Sequence, residues 1–456
     1  MTIKPPKRRV ERDWTKGNIT GNLWRLSWPI IISYGLTQLG PTVDTFWVGK
    51  LGSKAIAGIG SAGIIVILAN NINTGLLIGL RALVARHVGS GDRQGANLAV
   101  QQAFIIIVTF SAIMATIGIF FSDTILRLFG LEPTVAEQGA AYLRIQFLGT
   151  LTIGLRTLTE SAMQASGDVK LPMNIGIFYR LFHVVLDPFL IFGWWIFPSM
   201  GVSGASLAGV LTQGVGGAIG MWFLFSGRTR LRLSVKGIRL ELSMLRRLLK
   251  VGLPAIAGSV ERQFANVVVL WLIVPFGTVA VAAHSLISRV DTFVTPVIQG
   301  TSQSSGVLAA QNLGAQQPER AERTVWVAMG LTTVLMIVFS VFVWFWAERI
   351  IGAFNNEPSL VKIGSSFLRI EIASFLALNL SMVLSQSLQT VGATMVTMVG
   401  ILATLWGVQV PLSYLLPKFT SLGVYGIRWA GVVATVLRGL FYLVYFQTGA
   451  WKRKRI

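Results

Sequence analysis

The stretch Gly40-Pro41-Thr42-Val43-Asp44-Thr45-Phe46-Trp47-Val48-Gly49-Lys50-Leu51-Gly52 places one carboxylate near the end of a long apolar segment. From Asn22 to Val48 the only charged residues are Arg25 and Asp44. At about 1.5 Å per residue this run is long enough to cross a ~30 Å hydrocarbon layer. An ionisable side chain inside such a helix costs roughly 2.5 kcal/mol or more. It turns either to a cavity or partner on an ion or substrate path, or to the hydrated helix end, where Lys50 or Lys54 would stand near it.

The rest of the chain has the same character. It is 53% hydrophobic and 12% charged, with a mean hydropathy of +0.65, which marks a polytopic membrane protein. The absence of cysteine excludes disulfides, Cys-ligated metals and thiol nucleophiles. The net charge of +21 is concentrated in three places. These are an N-terminal tail (Lys4, Lys7, Arg8, Arg9, Arg12, Lys16), the segment 228–250, and Lys452-Arg453-Lys454-Arg455 at the C-terminus. The positive-inside rule puts all three on the cytoplasmic side. The charge is therefore read as topology and contact with membrane lipids, with no nucleic acid as partner. The charged start runs directly into a full-length span, so no cleavable signal peptide is expected.

Apolar runs between Gly, Pro and charged residues give twelve spans, near 22–49, 55–85, 95–121, 137–165, 169–197, 203–226, 247–275, 278–310, 320–347, 361–390, 393–416 and 424–449. The expected organisation is a basic cytoplasmic tail (1–21), an N-lobe of six spans (22–226), a basic amphipathic cytoplasmic linker (227–246), a C-lobe of six spans (247–449) and a basic cytoplasmic tail (450–456). The alternation of Leu, Ile and Val with Arg and Lys over 228–250 suits an amphipathic helix on the inner leaflet.

An internal repeat underlies the two lobes. Pro29 corresponds to Pro254, Gly52 to Gly277, Ala57 to Ala282, Gly89 to Gly314, Glu132-Pro133 to Glu357-Pro358, Leu143-Arg144-Ile145 to Leu368-Arg369-Ile370, and Gly167 to Gly392, each at a difference of 225 (277 − 52). Near the end Gly201 and Gly204 match Gly423 and Gly426 at 222 (423 − 201). Six spans per repeat is even, so the halves share one topology and are related by a pseudo-two-fold axis along the membrane normal. Two lobes across a cleft, rocking to give alternating access, is the expected architecture: an all-α polytopic membrane protein of twelve transmembrane helices. Three acids do not recur. The counterpart of Asp44 is Val269, of Asp187 Leu412 and of Glu261 Leu36, so these acids serve function better than scaffold.

Arg180, His183 and Asp187 share one face of span five. Asp187 lies about 25 Å along a straight helix from Lys170, and Asp44 about 28 Å from Arg25, so the two carboxylates reach similar heights. If they meet, two carboxylates in a low dielectric bind and release a proton, with His183 extending the relay; otherwise they form a pair that fixes helix packing. Glu261, about 16 Å from Lys250, is a second-lobe cation or proton site or a structural ion pair. Arg156 and Glu160, four apart, read as self-neutralising. Asn70, Asn71 and Asn73, with Gln299 and Gln303, offer neutral hydrogen-bonding groups to a solute or to neighbouring helices. Three histidines on different spans lack metal-ligand spacing, so neither an enzyme nor a resident metal or cofactor is expected.

Val43-Asp44-Thr45-Phe46-Trp47-Val48-Gly49 with Leu51-Gly52 and Ala55-Ile56-Ala57 resembles the first-span signature of multidrug and toxic compound extrusion (MATE) transporters. Gln164-Ala165-Ser166-Gly167-Asp168 with Pro172, and Asp187-Pro188 with Phe192-Gly193, resemble its fourth and fifth spans. Glu261 with Phe276-Gly277 and Ala282-Ala283-His284 resemble its seventh and eighth. The resemblance runs from about 20 to 450. It implies a monomeric multi-pass protein of the plasma (inner) membrane, both termini cytoplasmic. Such a protein exports organic cations and amphipathic drugs in exchange for H⁺ or Na⁺. Asp44 and Asp187 match carboxylates proposed to bind the coupling ion, Na⁺ included. His183 stands where Asn is common, which leans towards H⁺. Glu261 matches a seventh-span glutamate of other branches, and Asn379 stands at or next to the place of their tenth-span acid. A flippase for lipid-linked precursors, of the same superfamily, is the alternative.

Overall fold

A computed structural model of the chain describes residues 12–128, 132–234, 239–355 and 357–454. Lys4, Lys7, Arg8, Arg9, Lys236, Arg455 and the Lys54 side chain, on which parts of the charge reading fall, lie outside the described residues. The described chain is all-helical: α1 Ile19–Gly49, α2 Ser53–Gly89, α3 Arg93–Leu128, α4 Pro133–Leu148, α5 Thr150–Ser166, α6 Lys170–Phe192, α7 Gly201–Ser226, α8 Leu242–Ile273, α9 Thr278–Gly314, α10 Pro318–Gly352, α11 Pro358–Thr390, α12 Thr394–Thr404, α13 Val410–Phe419 and α14 Val424–Gln447. Only Gly149 separates α4 from α5, and a π turn, Leu405–Gln409, joins α12 to α13, so the segments form twelve rods. Among the described residues nine are long and apolar enough to cross a membrane. The other three are α1, the interrupted α4–α5 rod and α9, whose second half carries a run of Ser, Thr and Gln.

Contacts divide the chain into two compact units, one of residues 1–13 and 32–250, the other of 14–31 and 251–456. In the first unit Ala55, Leu126, Leu143, Phe147 and Val202 share one apolar core. In the second, Ile273, Ile287, Val343, Phe367 and Leu368 do the same. Residues 14–31 join the second unit because Gly300 of α9 lets the α1 backbone close in. A Cβ there would stand 2.8 Å from the Ile31 nitrogen.

The repeat is visible as backbone geometry. Gly167 and Gly392 both end a helix at φ 90°. At each site the next two N–H groups fold back on the last turn: Gly167 to Gln164 and Asp168 to Met163, Gly392 to Gln389 and Ala393 to Leu388. Only glycine adopts that left-handed turn without steric cost. The Glu-Pro pairs start α4 and α11, with Pro at the first helical position where its missing N–H is no loss. Arg144 pairs with Asp123, and Arg369 with Glu348 at 3.0 Å. The acids are themselves 225 apart (348 − 123), so the recurring arginines are half of a recurring ion pair.

The linker departs from expectation. Among its described residues 228–234 and 239–241 are not helical, and α8 begins only at Leu242. Leu231 and Leu233 are buried between outward Arg230, Arg232 and Ser234, a period of two that belongs to an extended chain. Side chains of α3 satisfy the backbone. Arg232 N–H donates to Asn97 Oδ1 (2.9 Å), Gln101 Nε2 to the Ser234 carbonyl (3.1 Å) and Gln102 Nε2 to the Arg239 carbonyl (2.8 Å).

Asp92, between α2 and α3, caps the second of these helices by accepting the Gly95 N–H at 2.8 Å, with His87 Nδ1 at 2.8 Å on its other oxygen. The Gly95 N–H, and His87 after it, hold this carboxyl below the usual range. A depressed folded value stabilises above the unfolded value and loses that contribution as pH falls through the folded one. Asp92→Ala is therefore expected to lower stability by about 1 kcal/mol near neutrality. In thermal melts its deficit against wild type should close below about pH 4.

Candidate functional site

Three ionisable groups converge in the first unit. α1 supplies Asp44, and α6 supplies His183 and Asp187 one turn apart. One ligand atom from each lies within 4.8 Å of the others. Asp187 is fully buried and His183 nearly so. The His183 Nε2 to Asp44 Oδ1 distance is 3.2 Å, but the groups are not aligned as a hydrogen bond. These two atoms and both Asp187 oxygens lack a hydrogen-bond partner among the described residues. Lys50, one candidate companion of Asp44, instead lies 4.5 Å over the Trp47 ring.

The neighbours fix the tautomer. Arg180 Nη1 lies 3.2 Å from His183 Nδ1. A guanidinium only donates, so Nδ1 accepts and the neutral imidazole carries its proton on Nε2, toward Asp44. Tyr142 of α4 interacts electrostatically with both aspartates, and its hydroxyl accepts from Gln146 Nε2 at 3.3 Å, leaving its own O–H to donate. Pro188 has no N–H for the Val184 carbonyl, which loosens α6 beside the carboxylate. Tyr142 and Gln146 were not singled out in the sequence; Gln146, polar in an apolar span, was the available signal.

The other predicted residues are dispersed. Arg156 Nη1 meets Glu160 Oε2 at 2.7 Å, as their spacing suggests. Asn70 and Asn71 are half-buried on α2, whereas Asn73 is buried with both polar atoms unpartnered, near Gly154. Gln299 is half-buried and Gln303 buried on α9. Asn379 donates to Thr333 Oγ1 at 2.8 Å and so ties α11 to α10. Glu261 is half-buried on α8, with no ion pair among the described residues.

The second unit holds a cluster that sequence reasoning missed. Arg428 of α14 reaches Glu371 of α11 at 3.3 Å and His284 Nδ1 of α9 at 2.8 Å. Asp291 of α9 interacts electrostatically with Glu371 and Arg428, and its Oδ1 is buried without a hydrogen-bond partner. The repeat places Ile59, Val66 and Gln146 at the counterparts of His284, Asp291 and Glu371 (minus 225), and Ser206 at that of Arg428 (minus 222). Each unit thus carries its own ionisable cluster, at different positions.

The MatE family profile matches residues 29–189 and again 254–415, and its two matches begin 225 residues apart (254 − 29). The chain belongs to the MatE family. Among similar MatE proteins is the "Probable multidrug resistance protein YoeA" of Bacillus subtilis, 24% identical over 94% of this chain and 93% of its own length. Another is an "FAD transporter" of Shewanella oneidensis, 24% identical over 92% and 93%. Such MatE homologues are named as transporters, not enzymes. Two solved structures share the fold. A MATE in the straight conformation has a TM-score of 0.91 at 20% identity, covering 98% of this chain and all of that one. A Pyrococcus furiosus transporter of the MOP superfamily, described as having a binding pocket of reversed polarity, scores 0.89 at 20% identity with the same coverage.

Proposed function

We propose that this MatE protein is a secondary multidrug exporter that expels organic cations and amphipathic drugs in exchange for H⁺, with Asp44, Asp187 and His183 as the coupling site. The observation that carries this reading is that both oxygens of a fully buried Asp187 lack a donor among the described residues while Asp44 stands beside them. Two adjacent carboxylates without donors repel unless they share a proton, so the site changes state with proton occupancy. Protonation stabilises one lobe geometry and releases substrate outward, and deprotonation restores the substrate-competent state. A tenfold shift between the two needs only about 1.4 kcal/mol of differential proton binding.

The donor set supports H⁺ over Na⁺. Two carboxylates suit Na⁺, but the third ligand is an imidazole nitrogen already carrying a proton on the facing atom, and hard cations prefer oxygen. The names of the multidrug resistance relatives support the substrate class. The basic termini and linker support a plasma-membrane protein with both ends cytoplasmic, acting as a monomer.

Proteoliposomes loaded with ethidium test the reading under an imposed pH gradient and, separately, an imposed Na⁺ gradient. Efflux driven by the pH gradient is the expected result. Efflux driven by Na⁺ alone, lost in Glu261→Gln and retained in Asp44→Asn, would move coupling to the second lobe. Absence of efflux under either gradient would favour the lipid-linked precursor flippase.

A further inference from the structure

The repeat provides an internal control for a second site. In the first unit Arg156 sits inside α5 with its charge cancelled. Nη1 donates to Glu160 at 2.7 Å, Nε donates to Gln213 at 3.2 Å, and Gln164 Nε2 donates to the other Glu160 oxygen at 3.0 Å. The corresponding positions in the second unit are Ser381 (156 + 225), Ser385 (160 + 225), Gln389 (164 + 225) and Thr435 (213 + 222).

A guanidinium occupies this niche too, delivered from a different helix. Arg438 of α14 donates Nε–H to Ser381 Oγ at 3.1 Å and Nη2–H to Thr435 Oγ1 at 3.4 Å. The carboxylate, however, is missing: where the first unit has Glu160, the second has Ser385. Gln389 now donates to the Ser385 hydroxyl at 3.2 Å, and its own Oε1 is buried without a partner.

A second cation makes the deficit larger. Arg262 of α8 is close enough to interact electrostatically with Arg438 and Tyr442. It lies on the helix face that packs into this unit, between Gly258, which approaches Ile401, and Ala265, which joins Ile401 and Leu405 in one core. Arg262 is nevertheless exposed, so its guanidinium is not sealed inside this core. It is about 18 Å along α8 from Lys250, and Arg438 about 14 Å from the end of α14, so both stand well inside their helices. Neither forms an ion pair among the described residues. Two mutually repelling guanidinium groups at this depth are costly without an anion.

We propose that Arg262 and Arg438, with Ser385, form an oxyanion-binding subsite for the carboxylate of an amphipathic substrate. The planar guanidinium fork matches a carboxylate in two parallel hydrogen bonds; among the described residues Arg438 bonds only through Nε and Nη2, in a niche where Ser385 stands in place of the other unit's Glu160. The substrates would then include zwitterions and amphipathic acids as well as cations. This inference builds on the exporter reading, but it is tested without a gradient.

The experiment is equilibrium binding of a rhodamine with a free carboxylate and of its methyl ester to purified protein in phosphatidylcholine nanodiscs. Wild type is expected to bind the carboxylate about tenfold or more tightly than the ester. Arg438→Gln should bring that ratio near one. So should Ser385→Glu, which restores the first unit's own carboxylate and needs no arginine removed. A ratio near one in wild type overturns the proposal, as does a ratio that survives both substitutions. Adding phosphatidylglycerol separates sources: if that lipid displaces the dye while salt of equal ionic strength does not, the niche belongs to a lipid headgroup and the small-molecule assignment falls. A protein that fails to expel ethidium can still pass this binding test, so the two readings fail separately.

Discussion

Asp187→Asn in proteoliposomes is expected to reduce ethidium efflux driven by a pH gradient to the leak of protein-free vesicles. The substitution keeps the shape and removes the titration. In wild type neither Asp187 oxygen has a donor among the described residues, and Asp44 and His183 are its companions. An amide supplies its own two N–H donors, so the pair no longer requires a proton to be stable and the two occupancy states merge. Asp44→Asn should do the same, because either carboxylate alone lacks the repulsion that makes protonation matter. His183→Asn tests the choice of ion: it replaces a protonated nitrogen by a site able to present an amide oxygen. Efflux in that variant should lose part of its response to the pH gradient and gain one to Na⁺. Full pH-driven efflux by Asp187→Asn would remove this site from coupling altogether.

The largest effect on stability is expected at Arg428. The Arg428 and Glu371 side chains are 12% and 17% exposed, so both charges are largely out of water. Arg428→Leu leaves the Glu371 carboxylate without its ion-pair partner among the described residues, and removes the cation with which Asp291 interacts. Breaking a buried pair from one side costs about 3–5 kcal/mol, because the remaining charge stays buried. The double variant Arg428→Leu with Glu371→Gln should recover most of that loss, since replacing both partners removes the unpaired charge. Thermal unfolding of the detergent-solubilised protein, run as a double-mutant cycle, gives the coupling directly. Additive losses would mean that the 3.3 Å contact stabilises nothing.

How much of this could be read in advance depended on distance along the chain. The twelve rods and the 225-residue repeat were legible because glycine and proline mark fixed backbone geometry, as the matching turns at Gly167 and Gly392 demonstrate. Helix rise gave Asp44 and Asp187 similar heights, since each height is set by its own helix, but whether they meet depends on how α1 and α6 are rotated, which rise does not fix. The linker was misread because its alternation of leucine and arginine has a period of two, while an amphipathic helix requires 3.6. The cluster of His284, Asp291, Glu371 and Arg428 was not legible. Its members lie on three helices, and no local spacing links residues 57 apart such as Glu371 and Arg428. Asn379 drew notice only as standing at or next to the place of a tenth-span acid, and only the packing of α11 on α10 gives it Thr333 as partner.

The duplicated turn has a use as an experimental standard. Gly167 and Gly392 occupy the same conformation, φ 90°, and close with the same pattern of N–H groups. Alanine at either position should therefore damage a helix end to a similar degree. Any further change in ethidium efflux at one position but not the other then reports local chemistry alone. Every residue with a counterpart 225 positions away can be calibrated like this, so the protein contains its own matched reference for each such substitution.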